Sequence, residues 1–220
     1  MKRNLQKLLA LVLSAVLVCV TFSGCMSPLA SALEAERKAR EVKPLDLKEI
    51  FNEEQGFHFP GLQWDMDVTA VREKTQAPIT TIIGYSEGGE VAYNANGMRM
   101  SVFDQVNDQT AVTVTKDGIV YLISLIYYQD GSNAGRTMGL EEIYNGLQKE
   151  LTQAYGEASA LTDDHEVNGT KTVTESLEWT YSLKDMRVTH LQLAKTTVGD
   201  AKEPGYISLG FVIDTGVMKE

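Results

Sequence analysis

The period of apolar and polar positions changes several times along the chain. Leu8 to Val20 is apolar at almost every position, and a mixed-charge stretch follows it. Leu47 to Phe51 has the composition of one or two helical turns before Gly56. A short helix is predicted over Val68 to Lys74, because Asp67 can accept the free amides of the first turn and Met66 and Val71 stand at hydrophobic-staple positions. From Ile79 to Tyr128 the period is that of strands. The β-rich runs are Ile79 to Tyr85, Glu90 to Asn94, Met98 to Phe103, Thr110 to Thr115 and Ile119 to Tyr128. Gly88-Gly89, Asn96-Gly97, Val106 to Gln109 and Asp117-Gly118 punctuate them as hairpin turns do. Breaks this short leave no room for crossover helices, so the pairing is expected to be antiparallel. Ile119 to Tyr128 is the most apolar run and is expected at the sheet centre with both faces covered.

Residues 137–155 return to helical spacing, with Leu140, Ile143, Tyr144, Leu147, Leu151 and Ala154 on one face. Thr137 is the expected cap at its start and Gly156 at its end. Val173, Glu175, Leu177, Trp179, Tyr181 and Leu183 then alternate with polar residues, giving a strand with one buried and one wet face. Arg187 to Leu193 and Tyr206 to Ile213 follow, joined by the polar loop Thr196 to Gly205. The predicted class is α+β, a single antiparallel sheet with two main helices packed on one face.

The apolar run from Leu8 to Val20 lies between a basic start, Lys2, Arg3 and Lys7, and the small residues Ser23 and Gly24. It is short of the roughly 20 apolar residues that a membrane span needs, and it ends on small residues in place of a cationic flank, which is the plan of a cleaved export signal. Phe22-Ser23-Gly24-Cys25 resembles the lipobox of bacterial lipoproteins, with Phe22 where that motif usually has Leu, Val or Ile. The resemblance implies a diacylglyceryl group on Cys25. The chain has 2 cysteines, Cys19 inside the leader and Cys25 at its end, so the mature protein is expected to hold no internal disulfide. The expected organisation is a lipoprotein signal peptide over 1–24, an anchor and tether over 25–45, and one domain over 46–220. In the tether Arg37, Lys38, Arg40 and Lys43 interleave with Glu34, Glu36 and Glu41, a solvated spacer whose acids cancel most attraction to anionic headgroups.

Charge narrows the partners. The chain of 220 residues carries 20 Lys plus Arg against 30 Asp plus Glu, and three of the cations lie in the leader. Phosphate binding needs clustered cations, so nucleic acid is not an expected partner.

The sharpest candidate for chemistry is Gly84-Tyr85-Ser86-Glu87-Gly88-Gly89, which matches the G-x-S-x-G turn of serine hydrolases. That turn joins a strand to a helix. Here the following residues, Glu90 to Gly97, are short, Asn-rich and closed by glycine, as a hairpin arm would be. His165 or His190 with Asp163 or Asp164 would have to complete a triad, but His190 has no acidic neighbour in sequence and His165 belongs to a polar stretch. Asp163-Asp164-His165-Glu166 has neither the alternating acids and fixed glycine of a calcium loop nor a zinc spacing, and is expected to be a solvated acidic loop. Asp104 to Asp108 is expected to be a turn. Trp64, Trp179, Tyr127, Tyr128 and Tyr181 are candidates for an aromatic groove, with Trp179 and Tyr181 better placed for the core. Asn168-Gly169-Thr170 matches a glycosylation sequon that has little meaning in a bacterial lipoprotein.

Gly61-Leu62-Gln63-Trp64-Asp65-Met66-Asp67 with Val71 is similar to the G-x-x-W-G-M-S-x-x-E-V opening of small bacterial lipoproteins of uncharacterised function. Lys116-Asp117-Gly118-Ile119-Val120, Leu151 to Gly156 and the strand around Trp179 keep that family's order, so the resemblance spans most of residues 61–213. Asp65 departs from it, standing where the family has Gly, and so does Ala70, where the family has the acid of a capping box. The resemblance implies the fold and the anchoring and no activity. The expectation is therefore a lipid-anchored, extracytoplasmic cell-envelope protein that binds another protein or a polymer without catalysis, cofactor or metal. The alternative is an envelope serine hydrolase using Ser86.

Overall fold

Strand composition and one buried asparagine decide how this chain divides into sheets. The computed structural model describes residues 42–75, 79, 81–85, 89–130, 136–167 and 170–214. In chain order these form β1 (Lys43–Pro44), β2 (Phe51–Asn52), β3 (Gly56–Phe57), α1 (Val68–Thr75), β4 (Thr81–Tyr85), β5 (Val91–Asn94), β6 (Met100–Val102), β7 (Gln105–Val106), β8 (Gln109–Val114) and β9 (Val120–Tyr128). Then come α2 (Leu140–Tyr155), β10 (Ser159–Val167), β11 (Thr170–Ser182), β12 (Val188–Val198) and β13 (Tyr206–Asp214). Eight strands make one antiparallel sheet in the order β10-β11-β12-β13-β9-β8-β5-β4.

The fold is β-rich, with two helices and large antiparallel pairing, but its sheet is not single. β1, β6 and β7 form a separate small sheet in which β1 and β6 run parallel, and β2 pairs with β3 in another. Asn107, fully buried, is the physical reason that β6 leaves the main sheet. Its side-chain oxygen accepts the Met100 N–H at 2.8 Å, and its amide donates to the Gln109 carbonyl at 2.7 Å and to Thr110 Oγ1 at 2.9 Å. The side chain thus takes up ladder groups that a continuing strand would pair. Leu47 to Phe51 likewise forms a turn entering β2, not helical turns.

β9 lies between β13 and β8, central as its apolar composition requires. From Ile123 onward its buried side chains fall on one face. Ile123, Leu125 and Tyr127 are buried, and the register sets them opposite Phe211, Leu209 and Ile207 of β13. The alternate residues Leu122, Ser124 and Ile126 are half-buried. The same alternation continues outward, where Leu191 and Leu193 of β12 are fully buried opposite Phe211 and Leu209.

α2 packs against β12 and β13 through Ile143, Leu147 and Leu151, all fully buried. It starts at Gly139, whose N–H is accepted by the Glu142 carboxylate at 3.0 Å, and not at Thr137. Thr137 is held by the buried Gln105, which accepts its N–H at 2.8 Å and donates to its hydroxyl at 3.1 Å. Gly156 closes the helix at φ 84°, and its carbonyl accepts the Trp179 indole at 2.8 Å.

The Trp64 motif ties the amino-terminal segment to the sheet. The Trp64 indole donates to the carbonyls of Gln55 and Phe57, both at 3.1 Å, and so staples the β2–β3 turn. Asp67 caps α1 by accepting the Ala70 N–H at 2.7 Å, and Met66 accepts the Val120 N–H at 2.9 Å. Asp65, just before them, sits at φ 74°, a conformation that favours glycine, and its carboxylate accepts from Arg187 at 2.6 Å. Arg187, in the β11–β12 turn, also binds Asp185 and holds that carboxyl below its ordinary range.

These two facts about residue 65 oppose each other on substitution. Asp65→Ala keeps the left-handed strain and loses the exposed ion pair, and should destabilise by roughly 0.2–1 kcal/mol. Asp65→Gly loses the same pair but relieves a left-handed strain of about 1–2 kcal/mol, and should be neutral or stabilising. Equilibrium urea unfolding of the two variants checks the order.

Candidate functional site

Ser86 and the lipid-anchor residue Cys25 lie outside the described residues. The strands that flank position 86 in sequence, β4 and β5, are antiparallel neighbours with Tyr85 opposite Val91, and β5 stands where a nucleophile elbow needs a helix. β4 is one edge of the sheet, while His165, Asp163 and Asp164 are on β10 at the other edge.

Residues 159–167 form an edge strand, which corrects the expectation of an acidic loop at Asp163 to Glu166. Strand alternation puts Asp163 and His165 on one face, 3.1 Å apart, and Asp164 and Glu166 on the other, where Asp164 pairs with Lys171 at 3.3 Å. The alternation places two of these four groups on each face. Among the described residues no group of three or more His, Cys, Asp or Glu side chains could hold a metal ion. His190 gains from the neighbouring strand the acid that its own sequence lacks, with Glu178 Oε1 at 3.1 Å from its Nδ1.

The aromatic candidates divide. Tyr127 and Trp179 are core residues, Tyr181 packs edge-on against Phe51 at 5.0 Å between ring centres, and Trp64 is buried. Only Tyr128 is exposed. Its hydroxyl donates to Gln109 at 2.7 Å and its ring lies 6.0 Å from that of Tyr206.

A polar cluster that the sequence reading did not single out lies beside Tyr127. Asp108, expected in a turn, instead turns its carboxylate inward, where one oxygen accepts the Tyr128 N–H at 2.8 Å and a short hydrogen bond from Arg136. The side chains retain only 5% and 11% of their exposure. Arg136 also donates to the Tyr128 carbonyl at 2.7 Å and stands 6.0 Å from the Tyr127 ring centre. Asp108 Oδ1, Arg136 Nε and the Tyr127 hydroxyl have no hydrogen-bond partner among the described residues. Burial pushes the Tyr127 hydroxyl far above its ordinary range, with Arg136 opposing and Asp108 adding to the shift. Arg136 is the one arginine between Arg99 and Arg187 in the sequence, which is the signal that could have drawn attention to it.

Above this cluster a cleft of about 490 Å³ runs between Arg136, Gln129 and the start of α2. Its polar groups are largely engaged with one another. Gln129 donates to Glu203 at 3.0 Å, Glu142 caps α2, and Arg136 is bound to Asp108.

The second feature able to meet a partner is the wet face of the sheet. Across β9 and β13 it presents Leu122, Ser124, Ser208, Gly210 and Val212, and across β12 Ala194 and Gln192. Ala194 and Gly210 are buried there, and the others, with Ile126 opposite Ser208, are half-buried. A Cβ at Gly210 would make ordinary contacts, with Leu122 at 3.6 Å and Ser124 at 3.7 Å, so a methyl group fits there.

Comparison of the chain with protein-family models, with curated proteins and with solved structures finds no match in any of the three.

Removing one member of a buried ion pair strands the other. Arg136→Met should therefore destabilise by about 3–5 kcal/mol, and adding Asp108→Asn should recover part of the loss. A double-mutant cycle by urea unfolding measures this coupling.

Tyr127 carries a pH prediction of definite sign. A hydroxyl whose folded pKa is raised contributes stability that is complete below its unfolded value, about 10, and is lost as pH rises toward the folded value. Tyr121, pushed up to about 12 by burial and then by Glu90, acts in the same direction. Tyr127→Phe should move the alkaline unfolding midpoint to higher pH, read by tyrosinate absorbance alongside circular dichroism.

Proposed function

We propose that this chain is a cell-envelope lipoprotein whose domain works by binding a macromolecular partner and not by catalysis. Residues 1–24 direct export, Cys25 carries the lipid, and residues 26–45 tether the domain outside the cytoplasmic membrane. Acyl chains contribute roughly 0.8 kcal/mol per buried methylene, so a diacylglyceryl group holds the protein firmly. Among the described residues no helix is long and apolar enough to cross a membrane.

The observation that carries the binding reading is the asymmetry of the sheet. Two contacts support placing α2 on the dry face, the Trp179 indole to Gly156 and Lys195 beside the Tyr144 ring at 5.3 Å. Val71 of α1 joins Val120 and Ile123 at the same core. With both helices assigned there, the opposite face is left as a half-buried surface of Leu122, Ser124, Ile126, Ser208 and Val212, against which the side chains of a partner can pack. The partner class is another envelope or extracellular protein, or an envelope polymer. Nucleic acid is disfavoured by the acidic balance of the chain.

Mass spectrometry of the mature protein should find an acylated Cys25 as the first residue; an unmodified Cys25 or cleavage elsewhere removes the anchor. Capture from envelope extracts should yield a partner with the wild-type protein. The Ser124→Arg, Ser208→Arg double variant should lose it without a change in melting temperature. Equal recovery by the variant, or nothing above background from the wild type, overturns the face assignment.

A further inference from the structure

β10 is the longer of the two edges of the sheet, and the phase of the ladder fixes which of its backbone groups are free. Gly199 donates to the Lys171 carbonyl at 2.7 Å and Leu183 to the Arg187 carbonyl at 2.8 Å, so the odd-numbered residues of β11 pair toward β12. Thr172, Thr174, Ser176 and Glu178 therefore pair toward β10, opposite His165, Asp163, Leu161 and Ser159. The N–H and C=O groups of Ala160, Thr162, Asp164 and Glu166 consequently point away from the sheet. They have no partner among the described residues, and every residue from Ser159 to Glu166 is exposed.

We propose that β10 is a receptor edge for a basic, extended segment of a partner protein, which adds to the sheet as a further strand. The inference rests on the reading of the domain as a binding module and names the chemistry of its partner. Backbone groups supply the register and affinity of strand addition, while side chains supply selection. Here Asp163, beside His165, on one face and Asp164 and Glu166, with Lys171 on Asp164, on the other would stand beside the incoming strand, and the remaining acidic excess selects for Lys or Arg at alternating positions. A second copy of this chain is disfavoured by the same charges. Antiparallel self-pairing over the whole strand sets Asp163 against its own counterpart and brings both acidic triplets together, a charge pattern that blocks edge-to-edge association.

The test is fluorescence anisotropy of a labelled peptide of alternating lysine and valine, matched in length to β10, with the full-length protein in non-ionic detergent. Saturable binding is expected, weakened by salt and absent for the glutamate-valine analogue. Thr162→Pro removes an outward N–H without cutting the β10–β11 ladder, and should weaken binding about tenfold, as the loss of one hydrogen bond predicts. Asp164→Lys with Glu166→Lys, which leaves the backbone intact, should weaken it as much or more. Ser124→Arg with Ser208→Arg should not. Binding indifferent to Thr162→Pro and to the charge reversal overturns the proposal, as does a concentration-dependent dimer that Thr162→Pro abolishes. Failure of the peptide to bind while envelope capture still depends on Ser124 and Ser208 overturns the edge assignment alone. Failure of both removes the binding-module reading as well.

Discussion

The alternation of side chains along β9, β12 and β13 is the constraint on which the rest of the molecule depends. A strand that buries every second residue can be covered on one side only, and here the dry side takes Ile123, Leu125, Phe211, Leu191 and their neighbours. Full burial of side chains of this size contributes about 1.5–3 kcal/mol each, so slipping the register by one residue would be ruinous. α2 and the segment around Trp64 are present because that side must be sealed, and their own polar groups are then satisfied locally. The Trp64 and Trp179 indoles both end on backbone carbonyls for this reason.

Features with a local cause were legible in the sequence. Asp67 caps α1 as its position predicts, because an N-cap needs only the three residues that follow it. The amphipathic face of α2 and the central place of β9 were readable from period and composition. Residue 65 takes on meaning in the structure, since the position is left-handed at φ 74° and its aspartate is held by Arg187. Thr137 misled because a distant side chain, Gln105, claims it and leaves Gly139 to begin the helix.

Features set by distant pairing were not legible. β10 is acidic on both faces, so it has no period-two signature, and it becomes a strand only because β11 supplies a partner along its whole length. Asn107 diverts β6 from the main sheet through hydrogen bonds that no local pattern announces. Asp108 and Arg136 are 28 residues apart, and an aspartate in a turn is ordinarily solvated, so their mutual burial has no trace in spacing. Glu178 and His190, brought within 3.1 Å of each other by adjacent strands, likewise leave no trace in spacing.

The strand order has a consequence for how the chain reaches its native state. β4, β5, β8 and β9 can zip together from neighbouring segments, and so can β10, β11 and β12. β13 alone joins the two groups, pairing with β12 on one side and with β9 on the other. Residues 206–214 thus act as the seam of the core, and until they arrive the apolar faces of both halves have no common lining. Closure of the core is thus coupled to delivery of that segment, the last of the strands to be made.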